Sequence, residues 1–156
     1  MKAYTNVNIV TCDSEFHVYR EGLLVVEDDR IAYCGPYDQA WLEKCSETVD
    51  YEGAWIMPGL VNCHTHSAMT LLRGIRDDSN LHEWLEDYIW PAESLFTAEV
   101  TTKAVQFALA EMLLSGTTTF NDMYNPHGVD IKQIYQAVRQ SGMRCYFSPT
   151  LFTSPA

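Results

Sequence analysis

A chain of 156 residues, 47% of them hydrophobic, has enough apolar material for a globular core and does not belong to the disordered class. Twenty-one acidic residues against 10 basic ones give a formal net charge of −11, which argues against nucleic acid or an anionic membrane as partner. No apolar run is long enough to span a bilayer and no signal peptide begins at Met1, so the expected location is cytoplasmic.

In chain order, residues 3–10 read as a strand. Residues 23–27 and 30–34 flank Asp28-Asp29 as a hairpin, which Gly35-Pro36 closes. A short polar helix is expected over 37–46 and a strand over 48–51. These few strands make a poor free-standing sheet, so the first part of the chain is expected to need partners from elsewhere. Five cysteines, Cys12, Cys34, Cys45, Cys63 and Cys145, include no C-x-x-C pair and read as reduced, small apolar residues.

The texture changes at Ile56. The run Gly59 to Cys63 predicts a short buried strand that ends in His64-Thr65-His66. Side chains of a strand alternate, so His64 and His66 share one face while Cys63 and Thr65 take the other. Two adjacent imidazoles are a ready pair of ligands for Zn²⁺ or Fe²⁺, and two loop histidines or a satisfied core histidine would give the same letters. Their place at the C-terminal end of the first strand of a βα series favours the metal reading.

Asn80 with Glu83 resembles a capping box, and Leu81, Trp84, Leu85, Tyr88 and Ile89 follow at helical spacing until Pro91 ends the helix. Thr97 caps a longer helix whose expected buried stripe is Val100, Ala104, Phe107, Ala108 and Met112, with Gly116 as the residue beyond its end. Residues 117–124 predict a strand, 129–141 a helix with Ile131, Ile134, Tyr135 and Val138 on one face, and 143–148 another strand. Strand, helices, strand, helix, strand implies two βαβ units, a parallel sheet and helices outside it. His82 and His127 are read as solvent-exposed.

Met57-Pro-Gly-Leu-Val-Asn-Cys-His-Thr-His66 resembles the first-strand signature of the amidohydrolase superfamily. The similarity continues through Leu71-Leu-Arg-Gly74, Trp84-Leu85, Ile89-Trp-Pro-Ala-Glu93, Glu111-Met112, Ser115-Gly-Thr-Thr-Thr119 and Asp122-Met-Tyr124. The branch it resembles holds triazine hydrolases and 5-methylthioadenosine/S-adenosylhomocysteine deaminases. The resemblance implies an α/β fold: a small β-sandwich segment in residues 1–55, then in 56–156 the first three parallel strands of a TIM (β/α)8 barrel. It also implies that His64 and His66 bind one metal ion, usually zinc, whose hydroxide attacks the amidine-like carbon of a heteroaromatic ring so that ammonia leaves. Glu93 matches a carboxylate that holds ribose hydroxyls, or is a surface charge after a helix. Trp84 matches an aromatic lining the ring pocket, or packs in the core.

Ser148-Pro149-Thr150 stands where nucleoside deaminases of this family carry an arginine, a departure that speaks against S-adenosylhomocysteine itself. The further ligands and proton-moving residues of such enzymes come from later strands, and Asp122, on the second strand, does not replace them. No catalytic residue is therefore expected within this chain, and the chain alone is expected to be inactive. The alternatives are a chlorohydrolase, a guanine- or cytosine-type deaminase, or a truncated or assembling piece, including a homo-oligomer. The expected partner is a small heterocycle or nucleoside.

Overall fold

The computed structural model describes residues 1–124 and 131–149 and divides into two compact units, Met1–Pro58 and the chain from Gly59 onward. In the first unit, β1 (Lys2–Val10) pairs antiparallel with β2 (Val18–Glu27), and β2 pairs antiparallel with β3 (Arg30–Gly35) across the expected Asp28-Asp29 turn. The expected helix is a single turn, α1 (Gln39–Leu42), started by Asp38, whose carboxylate accepts from the Ala40 N–H at 2.8 Å. It is shorter than the sequence suggested, a single turn in which no residue is fully buried.

β4 (Glu47–Asp50) and β5 (Trp55–Ile56) both pair parallel to β1, giving one five-stranded sheet. Ala3, Leu23 and Val25 are buried there, covered by Tyr33, Trp41 and Leu42.

The second unit begins with β6 (Leu60–Thr65), which lies parallel to β7 (Thr117–Tyr124), itself parallel to β8 (Arg144–Pro149). The parallel sheet read from the sequence is therefore present, with strands in chain order. β6 differs from expectation: it runs two residues further than Cys63, and Leu60 and Val61 are 50% and 63% exposed rather than buried. Among the described residues it pairs with β7 alone.

A 3₁₀ segment, Ser67–Leu72, follows β6. The next helix runs as α2 (Leu81–Glu83), a π-helical stretch at Trp84–Ile89, and α3 (Trp90–Glu93). Asn80 caps it as expected, its Oδ1 accepting from the Glu83 N–H at 3.1 Å. Pro91 does not end it. The Trp90 N–H reaches back to the Leu85 carbonyl, five residues earlier, and this wider turn immediately precedes the proline that cannot donate to residue 87.

α4 (Ala98–Leu114) is capped by Thr97, whose hydroxyl accepts from the Val100 N–H at 3.2 Å. Its buried residues are Thr101, Ala104, Val105, Ala108 and Leu109, whereas Val100 and Phe107 are exposed and Met112 is half-buried. Apolar residues line nearly every side of this helix, so spacing alone does not choose the face. Packing against the 3₁₀ segment, β7 and α5 (Ile131–Ser141) chooses it. In α5 the buried residues are Ile134, Ala137 and Val138, while Ile131 and Tyr135 are exposed. These side chains meet Val105, Leu109, Phe120 and Met143 in one core, at about 1.5–3 kcal/mol per fully buried large apolar side chain. Residues 129 and 130 of the expected helix, and His127, lie outside the described residues.

Candidate functional site

β6 is held at its start by the Leu60 N–H, which donates to the Gly116 carbonyl at 2.9 Å. Gly59 lies so close to β7 that a Cβ there would stand 2.7 Å from Thr118 Cβ. Further along, Asn62 pairs with Phe120 but Thr65 pairs with Asp122, so β6 carries one residue more than β7 over this stretch. Such a bulge re-aims side chains. It interrupts the strict alternation expected from sequence, and Thr65 lines the same cleft as His66. His64 and His66 nonetheless come together, with ring centroids 5.0 Å apart and planes at 80°. The His64 N–H donates to Asn62 Oδ1 at 3.1 Å. Cys63 is exposed and lines neither cleft described below.

β7 fixes the segment that bears His66. The His66 Nδ1 lies 3.1 Å from the Met123 carbonyl. A carbonyl only accepts, so Nδ1 carries a proton, and in the neutral ring Nε2 is the nitrogen with the lone pair. One residue on, the Ser67 N–H donates to Asp122 Oδ1 at 2.9 Å, and the Ser67 hydroxyl makes a short hydrogen bond to Asp122 Oδ2. Both residues are buried. Burial pushes the Asp122 carboxyl above its ordinary range, against the opposing effect of the Ser67 hydrogen bonds. Asn121 donates through Nδ2 to the Cys63 carbonyl at 3.3 Å and accepts from the Ser148 hydroxyl at 3.0 Å, so its side chain ties β6, β7 and β8 together.

Two clefts among the described residues open on His66. One, of about 280 Å³, is lined by His66, Met69, Thr70, Leu72, Arg73 and Trp84, so the tryptophan singled out from sequence shares a cavity with the histidine. The other, of about 540 Å³, lies between β6, the 3₁₀ segment and α4, where Arg73 clamps Glu111 through Nη2 at 2.8 and 2.9 Å. Glu93 sits at the end of α3, half-buried, and lines neither cleft.

The histidine pair suits a transition metal through neutral imidazole nitrogens, and the bond from His66 to Met123 is the outer partner such a ligand needs. Among the described residues, no group of three or more His, Cys, Asp or Glu side chains comes together to complete a coordination shell. Buried Thr65 Oγ1 has no hydrogen-bond partner among the described residues.

Reading the sequence missed the structural work of Ser67, Asn121 and Asp122. The available signal was two consecutive polar residues, Asn121-Asp122, inside an otherwise β-branched and aromatic strand.

Residues 55–154 match the model of the Amidohydrolase family. The chain is 46% identical over 151 residues to a 5-methylthioadenosine/S-adenosylhomocysteine deaminase of Bacillus cytotoxicus, covering 97% of this chain and 35% of that protein. It thus spans about a third of the length of the curated relatives it matches, from 34% to 35%. An adenosine deaminase of Xanthomonas campestris, solved with bound zinc, is similar at TM-score 0.75 and 32% identity over 92% of this chain and 32% of its own. An atrazine chlorohydrolase of Arthrobacter aurescens TC1, solved with zinc, shares the fold at TM-score 0.82 and 21% identity, over 96% of this chain and 35% of its own. A family match over this much of the sequence, together with the paired histidines it includes, means that the chain belongs to the Amidohydrolase family.

Proposed function

We propose that this chain contributes the first-strand metal ligands and part of the substrate wall of a deaminase acting on an adenosine-like heterocycle. One observation carries the reading: His66, its Nδ1 tied to the Met123 carbonyl, stands beside His64 and lines the same cleft as Trp84. Likeness to a methylthioadenosine deaminase and to a zinc-holding adenosine deaminase supports it.

In this reading His64 and His66 hold zinc, with iron(II) as the second candidate. A divalent cation there supplies Lewis acidity, which brings the deprotonation of water near neutral pH. Trp84 walls the heterocyclic ring, and Glu93 accepts from sugar hydroxyls. Residues 1–55 furnish a β segment of a composite sandwich domain, and 56–156 the opening strands of a (β/α)8 barrel in a cytoplasmic enzyme. Two histidines alone hold zinc weakly, so the chain by itself releases no ammonia.

Calorimetric titration with zinc tests the site: the chain binds, and His64→Ala and His66→Ala each weaken binding. Equal affinity in the variants overturns the metal assignment. Binding assays with 5′-methylthioadenosine, guanine and a chloro-triazine, each compared with Trp84→Ala, test the substrate class. A preference for the chloro-triazine would favour a chlorohydrolase instead.

A further inference from the structure

Three consecutive residues of the histidine-bearing segment are held by two consecutive residues of β7, Asp122 and Met123. Thr65 is the ladder partner of Asp122. His66 gives its Nδ1 proton to the Met123 carbonyl at 3.1 Å. Ser67 gives both its N–H, at 2.9 Å, and its hydroxyl to the Asp122 carboxylate. We infer that Asp122 is a positioning residue: through Ser67 it fixes the backbone on the far side of His66, so that the ring meets Met123 through Nδ1 and leaves Nε2 facing away from that bond.

Beyond the bulge in β6, sheet pairing alone no longer dictates where the His66 side chain points. After His66 the chain turns at once into the 3₁₀ segment, and no side chain caps that turn through His66. The backbone at His66 is therefore held on one side by the Thr65 pairing and on the other by the Asp122 carboxylate. Ser67 is 2% exposed and Asp122 fully buried, so water does not stand in for either partner. A buried carboxylate is a costly way to hold a turn, and its two donors here both come from the residue next to the ring. The partner of a ligating imidazole's other ring nitrogen orients the ring and sets its tautomer; here that partner is the Met123 carbonyl, and Asp122 acts on it through the Ser67 backbone.

The inference rests on the metal reading for its purpose, but its test separates the two. Long-range ¹H–¹⁵N NMR of the metal-free chain reports the tautomer of each histidine ring. The wild type shows His66 protonated at Nδ1. In Asp122→Ala and in Ser67→Ala the Nδ1–H population of His66 falls toward the mixture seen at exposed His82, and Asp122→Asn, which keeps an acceptor for the Ser67 N–H, falls between. Zinc affinity drops by about 10-fold in the alanine variants. If Asp122→Ala does not fold, Ser67→Ala, which removes a single hydroxyl, decides. An unchanged His66 tautomer in a folded variant overturns the inference. A shifted tautomer supports it even if zinc leaves both His64 and His66 unperturbed, a result that would instead overturn the metal reading.

Discussion

Asp122 and Ser67 are 55 residues apart in sequence and share two hydrogen bonds in the interior of the second unit, where a single carboxylate accepts both the backbone and the side chain of one serine. Ser67→Ala leaves one oxygen of that buried carboxylate without its donor. The expected cost is about 1–3 kcal/mol, read from urea unfolding of the chain, with secondary structure retained. A change within error would mean that the hydroxyl contributes nothing to stability.

The buried face of α5 is centred on Ile134, not on the Ile131 and Tyr135 edge. Ile134→Ala is expected to lose about 2–5 kcal/mol, and Tyr135→Ala, on an exposed side chain, about 0.5 kcal/mol or less. Similar losses in the two would restore the face read from spacing.

Gly59 and Gly116 are required for different reasons, and substitution separates them. Gly116 has φ +85° with open space around it, so alanine there meets backbone strain alone, about 1–2 kcal/mol. Alanine at Gly59 runs into Thr118 and costs about 1–3 kcal/mol by overpacking. A double-mutant cycle with Thr118→Gly is expected to return part of the Gly59→Ala loss and none of the Gly116→Ala loss.

In the first unit the His17 ring, 2.7 Å from Asp13, holds the Asp13 carboxyl down at about 2, well below its usual 3.8. A folded-state value below the unfolded one means that the contribution is present above pH 3.8 and is lost as pH falls through about 2. NMR titration of the Asp13 carboxyl should therefore show a midpoint near 2, moving toward 3.8 in His17→Ala.

Burial, with a smaller part from the Asp122 charge, pushes the Cys145 thiol up to about 12, while Cys12 and Cys63 are exposed. Thiol labelling of the native chain at pH 8 is expected to modify Cys12 and Cys63 and to reach Cys145 only after unfolding. Zinc should leave the Cys63 rate unchanged, because Cys63 lines neither cleft beside His66.

The sequence was most legible where a local rule decides the outcome. Thr97 and Asn80 cap their helices, and β7 spans the very residues its β-branched run announced. It was least legible where a distant neighbour decides. Leu60 and Val61 are apolar, yet their exposure depends on what lies beside β6, which their own letters do not state. Apolar residues on every side of α4 hide which side is buried. The His64–His66 pair could be read from its spacing, but the tie from Ser67 to Asp122 exists only because β6 and β7 lie in one register.

The wide turn at Trp84–Ile89 sets an angular relation along its helix. An α-helix advances by about 100° per residue, and a π turn accommodates about one residue more than an α turn. Glu93 consequently leaves the helix at an azimuth about one residue's step away from where an uninterrupted α-helix would send it, relative to Trp84. Removing one residue from that turn would relax it to an ordinary α turn and keep the carboxylate's direction relative to the indole, whereas closing the turn at unchanged length would swing it by that step.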